Sequence, residues 1–137
     1  MKTYLDSSAF AKRFVDEEGS DKVEDTCNQA TELGLSVICV PEIVSALNRR
    51  HRERGLTNHQ YTQAKQHLID DVRDASIINL TIPVIGAAIT VLEANPIRAM
   101  DALHIACALE WGAELFVSSD KKQLTAAKRA GMQTQKA

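Results

Sequence analysis

Four carboxylates occupy positions from which they could do chemistry. Asp6 directly follows the apolar run Thr3-Tyr4-Leu5, Glu42 opens the helical segment after Leu35 to Val40, and Asp120 lies just past Glu114 to Ser118. One Asp after a strand is also a good helix cap, so Asp6 alone reads either way. Three acids at equivalent strand ends are different, since carboxylates roughly 5 Å apart at an effective dielectric of about 20 repel by about 3 kcal/mol per pair. A cation removes that cost. Oxygen-only donors, with no His or Cys at metal-ligand spacing, suit a hard ion, Mg²⁺ or Mn²⁺, which keeps waters and binds phosphate oxygens. Asp101 is a fourth candidate. It stands in the first turn of an otherwise apolar segment (Ala99, Met100, Ala102, Leu103, Ile105, Ala106), where a carboxylate either caps or points into the same cleft. A charge so placed needs a partner.

The elements that would position these acids alternate between strand and helix. Thr3 to Leu5 reads as a short strand, with Ser7 or Ser8 capping a helix that carries Phe10, Ala11 and Phe14 and ends by Gly19. Ser20 to Gly34 reads as a second helix with Gly34 at its C′ position, and Leu35 to Val40 as a buried strand. Pro41 suits the first turn of a helix whose apolar stripe is Ile43, Val44 and Leu47. Thr57 caps the next helix, Ala75 to Leu80 is a third strand, and Thr81 with Pro83 starts a helix that Asn95-Pro96 breaks. Arg98 to Trp111 follows as a helix, Glu114 to Ser118 as a fourth strand, then a helix to Gly131 and a short strand around Met132 to Thr134. Strands joined through helices take right-handed crossovers. The expected fold is therefore a three-layer α/β/α with a central parallel sheet of four to five strands, and its chemistry belongs at the strands' carboxyl ends. Without linker, repeat or low-complexity tract, residues 1–137 read as a single domain.

Composition narrows the function classes. With 45% hydrophobic residues among 137, the chain can bury a core without disulfide or metal staples. Lys plus Arg is 16 against 18 Asp plus Glu, a net charge of −2, so any nucleic-acid contact must be local. Cys27, Cys39 and Cys107 form neither a C-x-x-C pair nor an even framework, which points to a reducing, cytoplasmic setting, and Cys39 and Cys107 fall in apolar patterns as small core residues. Met1 to Asp6 has no apolar signal core, and Ile82 to Leu92 falls short of the roughly 20 residues that span a bilayer, so no membrane role is expected.

Taken in order, four segments cover nearly the whole chain: Tyr4-Leu5-Asp6-Ser7-Ser8-Ala9, Pro41-Glu42-Ile43, Arg98-Ala99-Met100-Asp101-Ala102-Leu103-His104-Ile105-Ala106, and Phe116-Val117-Ser118-Ser119-Asp120. On these segments the chain resembles the PIN-domain ribonucleases of the small VapC toxin type. The resemblance implies that Asp6, Glu42, Asp101 and Asp120 form the catalytic site around one or two divalent ions, with Asp6, Asp101 and Asp120 as metal ligands and Ser7 and Ser119 as supporting hydroxyls. Asp120 is the least typical, because Ser118-Ser119-Asp120 stands where Thr-x-Asp is common. It further implies an RNA substrate cut to 5′-phosphate and 3′-hydroxyl ends, a homodimer, and a small antitoxin that wraps the helical surface near Phe10, Phe14 and the Ser20 to Gly34 helix. The residues alone support the same chemistry: a metal acidifies water and shields charge on the phosphoryl oxygens, Glu42 orients that water or takes its proton, and no side-chain nucleophile is needed.

The remaining polar residues read two ways. Arg49, Arg50, His51, Arg52 and Arg54 either offset a helix dipole or track an RNA backbone, to which Lys12, Arg13, Lys121 and Lys122 would add cations nearer the acids. His104, three residues past Asp101, is a metal ligand or general acid on one reading and a packed core histidine on the other, and the latter fits its apolar neighbours better. His59 and His67 read as surface residues. Val84 to Leu92 is apolar nearly all round, hence deeply buried or at a subunit interface. An aspartyl phosphatase would want a second Asp where Ser8 stands, and a receiver domain an Asp where Asn79-Leu80-Thr81 stands. The surviving alternative is a non-catalytic PIN-like scaffold that binds RNA or a protein partner.

Overall fold

Side chains alternate across a strand, and here that alternation divides the core in two. In the computed structural model, which describes residues 1–137, β1 (Lys2–Leu5) pairs in parallel with β4 (Leu115–Ser118), matching Tyr4 with Phe116 and Leu5 with Val117. Tyr4 and Phe116 enter one hydrophobic cluster, Leu5 and Val117 the other. β2 (Glu32–Ser36), β3 (Ser76–Ile78) and β5 (Gln133–Lys136) complete an all-parallel sheet in the order β3-β2-β1-β4-β5.

Helices cover both faces, giving the expected three-layer α/β/α architecture. On one side lie α1 (Ser7–Phe10), prolonged by a 3₁₀ turn at Ala11–Arg13, α2 (Ser20–Gln29), α3 (Cys39–Arg52) and α4 (Asn58–Val72), packed through Phe10, Val23, Ile43, Leu47 and Leu68. On the other lie α5 (Ile82–Ala94), α6 (Ala99–Trp111) and α7 (Lys121–Arg129), packed through Val84, Ile105, Ala106 and Ala126. Each large aliphatic or aromatic side chain fully buried in these layers contributes about 1.5–3 kcal/mol. No helix is long and apolar enough to cross a membrane.

Three local expectations change. The second helix stops at Gln29 and Gly34 lies inside β2, so the strand begins at Glu32 rather than Leu35 and the next helix already at Cys39. Gly34 serves close approach rather than capping: a Cβ there would sit 2.6 Å from the ring of Trp111. Pro41 remains in the first turn of α3, where its missing N–H costs nothing. The cap of α1 is Asp6, not a serine, since its carboxylate accepts from the Ala9 amide. Finally, α5 is neither wholly buried nor amphipathic. Val84, Ala88 and Val91 face the core, whereas Ile82 is 89% and Ile89 52% exposed, leaving an apolar outer stripe with Ile85 and Leu92.

Candidate active site

Strand order reverses between β1 and β4, and in open parallel sheets ligands bind outside the carboxyl ends at such a point. Asp6 leaves β1 there and is 1% exposed. Its Oδ1 accepts from the Ser8 hydroxyl (2.7 Å) and the Ala9 amide (2.9 Å), and its Oδ2 accepts from the Ser118 hydroxyl at the end of β4 (2.6 Å). The Asp6 amide donates to Val117 O and the Ser119 amide to Ser8 Oγ, so both strand ends are stitched together beneath the site. Burial raises the Asp6 pKa despite the donors from Ser118, Ala9 and Ser8.

Glu42, in the first turn of α3, meets this edge from one side. Its Oε1 accepts from Ser7 Oγ (2.7 Å) and lies 2.6 Å from His104 Nε2. Burial alone would raise its pKa, but the hydrogen bonds from His104 and Ser7 hold it below the ordinary glutamate value. Asp101, in the first turn of α6, approaches from the other side. Its pKa is raised, by burial first and then by the charges of Asp120 and Asp6, against a backbone hydrogen bond at Arg98. Asp120 caps α7 through the Lys122 amide (2.9 Å).

The four predicted acids thus lie at one edge of the sheet, where Asp101 senses the charges of Asp120 and Asp6. No three His, Cys, Asp or Glu side chains lie together as a ready metal cage. The donor set nevertheless fits a hard divalent ion, because it is all oxygen, the Asp101 charge is disfavoured by burial and by its like-charged neighbours, and the buried Ser119 hydroxyl has no protein partner.

Among the basic candidates, Arg50 lines a groove with Ser8, Lys12 and Ser119, and Glu17 and Glu18 line it as well. Eight residues past Glu42, it lies about 12 Å further along α3 and about 80° around its axis. Arg49 and Arg52 are exposed, and Lys121 lines a second depression with Asp120, Lys122 and Arg129. Lys12 is already committed, donating to Glu18 O (2.5 Å) and Ala137 O (3.4 Å), and Arg13 pairs with Glu24 and Asp71. His59 and His67 are exposed, and the three cysteines are buried thiols, Cys39 being pushed up to about 12 mainly by burial.

Two residues join the site without having been anticipated. Gln123 of α7 is 4% exposed and donates through Nε2 to Asp101 Oδ1 (3.0 Å), while its Oε1 has no partner. The signal was present, because a glutamine at i with alanines at i+3 and i+4 occupies an inward stripe position. Tyr4 is the other: its hydroxyl lies 2.7 Å from His104 Nδ1.

A family profile described as PIN domain matches residues 3–129. The chain is similar to Ribonuclease VapC45 of Mycobacterium tuberculosis, with 31% identity over 133 residues, 93% of this chain and 90% of that protein. Its fold is similar to M. tuberculosis VapC20, described as a sarcin-ricin loop cleaving toxin, with a TM-score of 0.70 at 15% identity over 96% of both chains. It is likewise similar to a chain of VapBC-1 from nontypeable Haemophilus influenzae, with a TM-score of 0.70 at 14% identity over 99% of this chain and 98% of that one.

Proposed function

The chain belongs to the PIN-domain family, and from that premise we propose that it is a metal-dependent endoribonuclease, the toxin of a toxin–antitoxin pair. What supports this reading is that Asp6, Glu42, Asp101 and Asp120 lie along the edge where strand order reverses, with the Asp101 pKa raised by burial and by the charges of Asp120 and Asp6. The naming of its relatives as ribonucleases and toxins supports the substrate class.

Asp6, Asp101 and Asp120 would hold the ion, Mg²⁺ or Mn²⁺. When bound, such an ion supplies Lewis acidity toward water and the phosphoryl oxygens. The chain's own residues do the rest. Glu42 is held ionised, and a carboxylate below its ordinary pKa is a weak base, so it orients the attacking water rather than keeping its proton. Arg50 on one side of the site and Lys121 with Lys122 on the other face grooves that a phosphate backbone can follow, with Arg49 and Arg52 extending the first. Ser119 supports the site with a hydroxyl that no protein group uses. The exposed isoleucines of α5 are the surface we assign to self-association as a homodimer, and the antitoxin covers the acidic edge.

The test is cleavage of total RNA by the purified, partner-free chain with Mg²⁺, with Mn²⁺ and with chelator, beside Asp101→Asn. Metal-dependent cleavage that disappears in the variant is expected. A second reading, a non-catalytic scaffold that binds RNA or protein, draws on the lack of a ready metal cage. Folded protein that binds RNA yet cuts none under either metal would establish it instead.

A further inference from the structure

His104 is 2% exposed on α6, inside an otherwise apolar face, yet both of its ring nitrogens are engaged. Nδ1 lies 2.7 Å from the Tyr4 hydroxyl, while Nε2 lies 2.6 Å from Glu42 Oε1 and 3.2 Å from Ser7 Oγ. Tyr4 is itself immobilised, fully buried with its ring stacked on Phe116 (centroids 5.5 Å apart, planes 9° apart) and edge-on to His104. A continuous chain of contacts therefore runs from the middle of the sheet through α6 to the carboxylate on α3.

The hydrogens can be counted from the carboxylate end. Ionised Glu42 only accepts, so Nε2 must carry the hydrogen it shares with Oε1. The Tyr4 hydroxyl is a fully buried phenol aimed at the ring, so it can donate to a bare Nδ1. This arrangement satisfies every group in the chain with a neutral imidazole. Ser7 and His104 both bind Oε1, and no protein group donates to Oε2.

We infer that His104 is a positioning residue: braced by Tyr4, it clamps Glu42 through Oε1 and thereby aims Oε2 at the attacking water. The inference rests on the nuclease reading for its consequence, but the brace itself is a property of the folded chain. Outer partners of this kind cost about 10–100-fold when removed, even though they touch no substrate.

Two arms test it. In the first, kcat and KM for RNA cleavage are measured for wild type, His104→Leu, His104→Gln and Tyr4→Phe, all confirmed as folded. Gln places an N–H three bonds from Cβ, as His Nε2 does, so it keeps the clamp that Leu removes. The expected result is a kcat at least about tenfold lower in His104→Leu with KM unchanged, substantial recovery in His104→Gln, and an intermediate loss in Tyr4→Phe. Equal rates for the Leu and Gln variants, whether both high or both low, would overturn it.

The second arm needs neither RNA nor metal. Long-range ¹H–¹⁵N correlation on the wild-type chain should show His104 as the Nε2–H tautomer with an unprotonated, hydrogen-bonded Nδ1, and Tyr4→Phe should abolish the hydrogen-bond shift at Nδ1. An Nδ1–H tautomer, or no change in Tyr4→Phe, overturns the brace whatever the chain does to RNA. Wild-type chain that cuts no RNA while showing the predicted tautomer refutes the nuclease reading and leaves the brace standing.

Discussion

The two flanks of the acidic edge are built on opposite electrostatic plans. On the α3 side, Glu42 receives Ser7 and His104 at Oε1, and its pKa falls. On the α6 side, Asp101 receives a single side-chain donor from Gln123, faces Asp120 and Asp6, and its pKa rises. Glu42 is a carboxylate whose charge the protein has already accommodated, and Asp101 is one whose charge it has left in want of a partner. The difference separates roles: the first suits aiming a water, the second suits holding a cation.

The largest expected effect breaks the α6 side. Asp101→Asn should lower metal-dependent RNA cleavage by at least about 100-fold, because a cation ligand and its charge are both lost. Without metal, the same variant should melt higher than wild type, since the amide keeps an oxygen for Gln123 and removes repulsion from Asp120 and Asp6. A lower melting temperature in calorimetry would show that Asp101 is not destabilised as described.

Glu42→Gln addresses the α3 side. Its cleavage rate should drop by about 10–100-fold. The pH dependence of stability then has opposite signs on the two flanks. Glu42 is depressed, so its contribution is present above the ordinary value of 4.5 and is lost as pH falls through its folded pKa. Wild type should therefore outlast Glu42→Gln near pH 7, and the gap should close on acidification. Asp101 is raised, so its cost appears as pH climbs from 3.8 through the folded pKa, and Asp101→Asn should gain on wild type with rising pH. Melting curves across pH 3.5–7 for both variants check this pair, and parallel trends would dissolve the contrast.

Metal sharpens the same comparison by a smaller margin. Mn²⁺ or Mg²⁺ should raise the melting temperature of wild type and Glu42→Gln, more at pH 7 than near pH 5 because the ligands must be deprotonated, and should leave Asp101→Asn nearly unmoved. Chelator should reverse the shift. The smallest effect belongs to Gln123→Leu, which frees Asp101 and removes an unsatisfied buried oxygen: a severalfold loss of cleavage with stability unchanged or improved, read by initial rates and melting.

How much of this was legible depended on where each interaction runs. The parallel α/β order, the Thr57 and Thr81 caps and the Pro41 first turn all follow from local spacing, and the structure contains them. Gly34 misled because two conformational uses of glycine look alike in one dimension: ending a helix, or admitting a ring from a distant helix. The outer stripe of α5 was readable only as apolar, since burial and self-association leave the same pattern. Tyr4, His104 and Glu42 are separated by 100 and 62 positions, so no spacing rule could have joined them.

The close seating of Trp111 on Gly34 gives the chain an optical handle. Trp111 is its only tryptophan, it ends the helix that begins beside Asp101 and carries His104, and the Lys2 ammonium lies 4.4 Å over its ring while donating to its carbonyl. Its indole emission therefore reports how α6 is docked on β1 and β2. A fluorescence change on adding ion or partner would reveal, in solution and without any label, that binding at one end of the helix has reseated the other.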